Sequence, residues 1–408
     1  MSDQLIEPPP RLKRPWRGRL VVLAGIVLIA LNGRIMVAVV SPIINQIHVD
    51  LPLSHTDEAI IGMVAPLCFG VFGALAAGFG RRFGLEATMV VALLVSAAGE
   101  ACRSVVVTPA SFIAWTVPAL AGAGIGNVIA PPLIRKYFSD RLTLVTGVYT
   151  FFLTISTSLP PLFILAIANA AGWRFSVGLW AVIGVIGVVP WLFVMRSLRR
   201  MLGPRRPVPA TPTIDAPSVP VWRHGVTWAV CVVFTVNCII GYTMFAWLPH
   251  LLTDAGLSVG KADLNLALFT IGSLPGALLT PLLIARVKHL WVLPVVFFVA
   301  YAISLTALAV NPAHLTVLWI LVSRVGDCFF PFVLTMINLR STSTRGSIAM
   351  SGFVQPVAYT IAVVGPLGFG ALQAVTGSYH LPMMAIIACL PIQLVAGILV
   401  AKAKPIEV

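Results

Sequence analysis

The stretch Leu198-Arg-Arg-Met-Leu-Gly-Pro-Arg-Arg-Pro-Val-Pro-Ala-Thr-Pro212 divides this chain into two halves. It is rich in proline and arginine and has no apolar periodicity, so it predicts a linker, which we place at 198–221. Six long apolar runs lie on each side of it. An apolar run of about 20 residues crosses a bilayer as a helix, because a helix satisfies its own backbone hydrogen bonds. The sequence therefore predicts twelve transmembrane helices in two bundles of six.

The predicted spans leave few residues outside the membrane. They are 18–45, 57–79, 86–106, 109–137, 142–170, 174–197, 222–253, 261–286, 288–310, 313–339, 345–374 and 378–402. The first bundle is thus 18–197 and the second 222–402, with short tails at 1–17 and 403–408. Composition agrees with an all-α membrane protein, because only 10% of the residues are charged, the mean hydropathy is +0.98, and soluble domains are about 25% charged.

The net charge of +14 follows the predicted topology. Most lysines and arginines precede the first span, lie in the linker, or follow the even-numbered spans, whereas the other loops hold acids such as Asp50, Asp57 and Asp254. The positive-inside rule places the basic side, with both termini, in the cytoplasm. The sequence predicts a multi-pass protein of a bacterial inner membrane, embedded in lipid and without a nucleic-acid partner.

The architecture and the missing motifs favour one class of function. Two six-helix halves are typical of secondary transporters, in which one half rocks against the other around a central site. The chain has no nucleotide-binding glycine-rich motif, so transport driven by ATP is not expected. Its six cysteines fall within predicted spans and have no metal-binding spacing, so neither a cofactor nor a disulfide is expected. A receptor would need a sensing domain, and an enzyme would need a catalytic cluster, which we do not find in the sequence.

Arg34 is the first candidate for a binding residue. It lies near the middle of the first span, with no acid close to it in that helix, and an ionisable group at mid-bilayer costs about 2.5–3.5 kcal/mol. An unpaired guanidinium that faces a central cavity would attract an anion, and its planar fork suits a carboxylate. The alternative is an arginine that is capped by helix carbonyls or by an acid from another helix.

Two further pairs of charges lie within predicted spans. Arg324 and Asp327 are three residues apart in the tenth span and so share a helix face. They are expected to form either a structural pair or a substrate site, with Asp327 as a candidate proton carrier. Glu100 and Arg103 have the same spacing near the outer end of the third span, where Arg103 can extend its head to the membrane surface. We interpret them mainly as a structural pair, with Glu100 as a second candidate for proton coupling.

Polar and aromatic residues within spans give weaker signals. Each is more often a packing residue than a ligand contact. The candidates for substrate contact are Asn127, Asn237, Tyr242, Trp247, Gln355 and Tyr359. Prolines at 131–132, 160–161 and 366 are expected to kink or break the fourth, fifth and eleventh spans.

Segment 33–47 resembles the first helix of the cyanate porter family, a group of cyanate and nitroimidazole transporters within the major facilitators. That helix carries an arginine at the position of Arg34, followed by small residues and a proline. The resemblance continues over most of the chain in short motifs. They are Gly124-Ile-Gly126, Pro132-Leu-Ile-Arg-Lys-Tyr-Phe138, Ala246-Trp-Leu-Pro249, Phe330-Pro331, Gly365-Pro366 and Thr376-Gly377-Ser-Tyr379. It implies the major facilitator fold and transport by alternating access.

Three departures from the patterns of these transporters refine the expected function. Arg81-Arg82-Phe83-Gly84 replaces the superfamily motif Asp-Arg-x-Gly, so an arginine stands in place of the acid. The Gly-Pro signature of drug/proton antiporters is missing after Gly147. Arg324 and Asp327 stand where small residues are expected, which indicates a larger substrate than cyanate.

The leading prediction is a monomeric transporter that imports a small organic anion with protons. The alternative is an exporter of small aromatic or nitroimidazole-like compounds by proton antiport.

Overall fold

The computed structural model describes residues 19–158, 160–202 and 220–406. The predicted tail at 1–17, most of the linker and the last two residues lie outside these ranges. The described residues of the first half form α1 (Leu20–Ala38), α2 (Ile44–Asp50), α3 (His55–Phe83), α4 (Leu85–Arg103), α5 (Pro109–Phe138), α6 (Leu142–Ser158), α7 (Pro160–Gly178) and α8 (Ala181–Leu202). Those of the second half form α9 (Gly225–Asp254), α10 (Val259–Ile271), α11 (Leu274–Arg286), α12 (Val292–Val310), α13 (Thr316–Gly326), α14 (Phe329–Leu339), α15 (Thr344–Ala362), α16 (Val364–Thr376), α17 (His380–Ala388) and α18 (Leu390–Lys402).

These helices make up the twelve predicted spans. Ten helical segments in the described part of the chain are long and apolar enough to cross a membrane. The bent pair α6 and α7 provides another, and α8, which is apolar over Ala181–Ser197, is the last. Large apolar side chains such as Phe193 and Ile392 remain exposed on the outside of the bundle, where lipid would cover them. The fold predicted from the sequence is therefore confirmed.

Helix boundaries depart from the prediction where polar groups or glycine interrupt a span. The first span ends at Ala38, and α2 follows as a separate short helix. Gly172 adopts a φ of 83° and breaks the helical geometry inside α7, which an L-residue with a side chain would rarely allow. The tenth span is not continuous, because α13 ends at Gly326 and α14 begins at Phe329. Asp327 thus lies at a helix break and not in mid-helix.

The prolines of α5 were expected to kink or break their helix, and the helix does not break. Helix α5 runs from Pro109 to Phe138 through Pro131 and Pro132. A proline has no N–H, so these two residues leave the carbonyls of Asn127 and Val128 without helical partners. Gln355 and Ser351 of α15 donate to those carbonyls, at 3.3 and 2.8 Å. The prolines therefore convert a defect within one helix into hydrogen bonds between the two halves.

The two ends of the bundle differ in how tightly they are closed. At the end that carries the basic loops, which we name the basic end, Arg135 of the first half donates to the carbonyl of Asn338 in the second. Helices α3 and α15 approach closely there, since a Cβ on Gly352 would lie 2.4 Å from the Cβ of Ala77. At the opposite end, Asp50 and Asp254 bond within their own halves, to Trp173 and Tyr379. The halves are therefore joined at the basic end.

Candidate functional site

A cavity of about 820 Å³ lies between the two halves. Its deep part is lined by Arg34, four residues before the end of α1, and by Asn237 and Tyr242 near the middle of α9, and its outer part by Ile44 and Ile61. Ile44 begins α2, which follows the end of α1 that is remote from the basic end, and Ile61 lies in the first two turns of α3, whose other end carries Arg81 and Arg82. The cavity therefore opens away from the basic end, and its volume falls within the range of small-molecule sites.

Arg34 reaches across the interface between the halves. Its Nη1 donates to the hydroxyl of Tyr242 at 2.9 Å, and its Nη2 donates to the hydroxyl of Tyr359 at 2.8 Å. The guanidinium carbon also lies 5.1 Å from the ring centre of Phe69. No ion pair joins Arg34 to an acid within the described ranges. Dipoles and ring faces thus stabilise the charge without neutralising it, which leaves it able to bind an anion.

Arg324 faces the same cavity from the second half, and its charge is balanced. Its Nη1 lies 3.7 Å from Oδ2 of Asp327, and its Nε and Nη2 donate to the hydroxyl of Ser323 at 3.2 and 3.0 Å. The guanidinium carbon is 3.4 Å from the ring centre of Phe269. The Arg324 side chain is 6% exposed and that of Asp327 22%, so the acid is the member of the pair that reaches the cavity.

Asp327 is held by a small polar network. Its Oδ1 accepts from the amide of Asn237 and from the hydroxyl of Tyr301, each at 3.3 Å. Tyr301 also lies 3.2 Å from Oδ1 of Asn237. Its ring packs so closely on Gly326 that a Cβ there would lie 2.3 Å from it. Glycine at 326 therefore permits the approach that brings the tyrosine hydroxyl to the acid.

Tyr301 was not among the residues predicted from the sequence. The available signal is its position as a tyrosine within the apolar helix α12, since a buried phenol usually has a hydrogen-bond partner. The sequence does not indicate that this partner is an acid on α13.

Five of the eight predicted contact residues line the cavity: Arg34, Asn237, Tyr242, Trp247 and Arg324. The indole of Trp247 donates to the carbonyl of Pro366 at 3.0 Å, which fixes its ring in the wall. Phe245, Phe269 and Phe330 add aromatic surface to the lining. The cavity thus has charged side chains at its floor and apolar side chains along its wall.

The other three residues do not line the cavity. Tyr359 is buried behind Arg34 and orients it. Asn127 and Gln355 are buried and bond across the halves, at the level where the basic end closes. The structure thus places them in the closure of the cavity and not in its wall.

The predicted ion pair between Glu100 and Arg103 is absent from the described structure, and Arg103 does not extend to the membrane surface. Both side chains are fully buried, because α1, α5 and α8 pack against α4 and Phe112 lies 5.5 Å from the guanidinium carbon. Arg103 donates from Nη1 to the carbonyl of Met36 at 3.4 Å and borders the cavity. Glu100 lies behind it.

The basic end contains an acid that the motif departure did not predict. Glu86 binds Lys136 and the hydroxyl of Tyr137, five residues after Arg81, which replaces the acid of the superfamily motif. An acidic residue is thus present close to this loop, at Glu86 instead of at the motif position that Arg81 occupies.

Comparison with known proteins identifies the fold and the relatives. The family model for the Major Facilitator Superfamily matches residues 22–366. The chain is 27% identical over 396 residues to the 2-nitroimidazole transporter of Escherichia coli (strain K12), covering 96% of this chain and 98% of the relative. It is 24% identical over 366 residues to the cyanate transport protein CynX of the same strain, covering 88% and 91%. These relatives confirm the resemblance found in the sequence.

A solved structure shows the same fold. The proton:xylose symporter XylE superposes with a TM-score of 0.74 at 14% identity, over 95% of this chain and 96% of that one.

Proposed function

Since this chain belongs to the major facilitator superfamily and is a transporter rather than an enzyme, we propose that it imports a small organic anion together with protons. The observation that carries the proposal is the charge of Arg34. It lies at the floor of a cavity between the halves, it is held by two tyrosine hydroxyls, and it has no acidic partner in the described structure. A buried cation of this kind is costly unless an anion joins it, and its free edge suits a carboxylate.

The substrate is expected to carry an apolar, planar body on its anionic group. Tyr242, Phe245, Trp247 and Phe330 present rings to the cavity, and such rings favour planar apolar groups. The cavity is also much larger than a three-atom ion such as cyanate needs. An aromatic carboxylate, for which benzoate is the simplest probe, places its charge on Arg34 and its ring against this wall. Asn237 and Arg324 are proposed as further contacts.

The proposed direction of transport follows from the distribution of basic residues and from the end at which the cavity opens. If the basic end is cytoplasmic, as the positive-inside rule requires, the cavity opens to the periplasm of an inner-membrane protein. Anions would then be bound from outside. Their release needs the hydrogen bonds of Gln355 and Ser351 to the α5 carbonyls to break, so that the basic end opens. One chain encloses the whole cavity, which supports a monomeric transporter.

Two acids within the spans are candidates for proton coupling. Asp327 reaches the cavity, where three neighbours stabilise its charge. Glu100 lies behind the wall without a hydrogen-bond donor in the described structure. Each is proposed as a proton carrier, and conversion to the amide tests each separately.

Transport by purified protein in liposomes tests the proposal. Benzoate, acetate, cyanate and 2-nitroimidazole are offered outside, with the outer solution more acidic than the lumen. We expect benzoate uptake to begin faster than in empty liposomes, and accumulation to stop when a protonophore removes the gradient. Empty liposomes measure passive diffusion of the neutral acid. Initial uptake no faster than in empty liposomes, for every compound of the panel, would overturn the proposal.

Export of nitroimidazole-like compounds is the second candidate, supported by the aromatic lining and by the relative of that name. In this case, cells that produce the protein gain resistance to 2-nitroimidazole and do not take up benzoate faster. Uptake and resistance measured in the same cells therefore separate the two functions.

A further inference from the structure

Glu100 and Arg103 leave four buried polar atoms without partners. Both carboxylate oxygens of Glu100 lack a hydrogen bond, and so do Nε and Nη2 of Arg103. Both side chains are 0% exposed, and a buried charge without partners is strongly disfavoured. Because the two residues are three apart on α4, a change of rotamer can bring them together. While the cavity is open, the acidic and the basic side chain therefore lie close together without forming an ion pair.

Among the side chains that the structure describes, the helices around this pair bring no competing charge to it. Charged residues of the neighbouring helices are bound elsewhere or lie at the ends of the bundle: Arg34 at Tyr242 and Tyr359, Arg174 at Asp50, Asp57 at Ser54, and Arg81, Arg82, Arg135, Lys136 and Arg196 at the basic end. Cys68 bonds to the carbonyl of Val117, and Cys102 lies next to the pair on α4. In the described structure, neither Glu100 nor Arg103 forms an ion pair with any residue.

Arg103 is also connected to the cavity and to Arg34. It borders the cavity together with Thr116 and Leu120. Its hydrogen bond to the carbonyl of Met36 ties it to α1 two residues after Arg34, on the side of the cavity mouth. An anion that enters from the open end would therefore meet Arg103 before Arg34.

We propose that Arg103 is a second anion-binding residue of the cavity, and that it alternates between the carboxylate of the substrate and the carboxylate of Glu100. While the anion occupies Arg103, Glu100 keeps a proton, because its ionised form would have no partner. When the anion has left, Glu100 releases that proton to water and pairs with Arg103. One proton thus moves with each singly charged anion, and the cycle transfers no net charge. This inference rests on the proposed anion transport and names its coupling pair.

The exchange predicts how anion binding depends on pH. At low pH Glu100 is protonated and Arg103 is free, so the anion binds tightly. At higher pH the carboxylate of Glu100 competes for Arg103, and affinity falls by up to about tenfold per pH unit. Benzoate stays ionised above about pH 5.5, so its own titration does not produce this change.

Benzoate binding to the purified full chain, measured by calorimetry across this pH range, tests the exchange. We expect Glu100→Gln to bind as tightly as the acidic wild type at every pH, because glutamine mimics the protonated acid. Arg103→Gln should bind weakly throughout, and Arg103→Lys should recover only part of the affinity. Glu86→Gln, the same change at the other acid of α4, should retain the wild-type dependence. Wild-type pH dependence in Glu100→Gln, or wild-type affinity in Arg103→Gln, would overturn the inference.

Infrared spectroscopy of the protein without ligand gives a second readout. We expect a band of a protonated carboxylic acid that disappears as the pH rises, that is missing in Glu100→Gln and that is present in Glu86→Gln. No such Glu100-dependent band at low pH would also overturn the inference, even if Arg103→Gln fails to fold. The two proposals fail differently. If the wild type binds no anion of the panel, the proposed function falls and this inference with it, whereas binding that ignores Glu100 and Arg103 removes only the inference.

Discussion

Two arginines face one cavity from opposite halves, and they differ in what balances their charge. Arg324 has an acid three residues along its own chain and a ring beneath its guanidinium. Arg34 has only two hydroxyls and ring faces, all from other helices. A cation with a built-in partner is stable in the empty protein, whereas one without a partner is positioned for an external anion. We therefore propose Arg34 as the primary binding residue and Arg324 as a further contact whose charge Asp327 already balances.

Replacement of Arg34 is expected to have the largest effect. Arg34→Ala removes a forked charge–carboxylate contact that contributes about 3 kcal/mol, so uptake should fall about 100-fold. Arg34→Lys should restore only part of it, because an ammonium group lacks the planar fork. Benzoate uptake into liposomes at equal protein content provides the measurement. Arg223→Ala, at an exposed arginine outside the cavity, should transport normally. Normal uptake by Arg34→Ala would remove the distinction between the two arginines.

Replacement of Asp327 is expected to have the second largest effect, and this effect is on the free energy of unfolding. Asp327→Asn leaves the charge of Arg324 buried without its acid, which should cost about 3 kcal/mol. The double variant Arg324→Met with Asp327→Asn removes both charges and should recover most of the loss. Melting temperatures in detergent compare the three proteins. A double variant less stable than the single one would show that Arg324 has a role beyond pairing with Asp327.

The contacts that close the basic end should have a smaller effect. Gln355→Ala removes the bond to the Asn127 carbonyl, which contributes about 1 kcal/mol and so shifts the balance of open and closed forms about fivefold. Distances between spin labels on the two halves at the basic end report this balance. Gln393→Ala is the matched control, since Gln393 donates to the Val233 carbonyl within the second half. Equal shifts in both variants would argue against a specific closing contact.

The exposed pair of Asp50 and Arg174 should matter least. A hydrogen bond from Trp173, and then one from Arg174, hold the pKa of Asp50 below its ordinary value. Because the folded-state pKa is lowered, its small contribution to stability is present above the unfolded-state pKa and is lost as the pH falls through the folded-state pKa. Asp50→Asn should therefore leave the melting temperature and uptake nearly unchanged at neutral pH. The small difference in melting temperature between Asp50→Asn and the wild type should be present at neutral pH and vanish at acidic pH. A difference that grows as the pH falls would contradict this reading.

The sequence predicted the span count and the place of Arg34 at a central cavity, because bilayer thickness and the cost of a buried charge act on single helices. It did not predict the partners of Arg34, which lie 208 and 325 residues further along the chain. Asn127 and Gln355 were misassigned for a related reason. From the sequence alone, a buried amide side chain is readily interpreted as a ligand contact. Its role in joining two helices is visible only when the carbonyls freed by the prolines and the helix that faces them are both known.

The position of an anion in the cavity is the most direct test of the account. A structure with bound 4-bromobenzoate locates the bromine by its anomalous scattering and thereby orients the ring. We expect the carboxylate on the guanidinium of Arg34, beside Tyr242, with the bromine against the aromatic wall near Trp247. A carboxylate placed on Arg324 with Arg34 unoccupied, or a ligand outside the cavity, would contradict it.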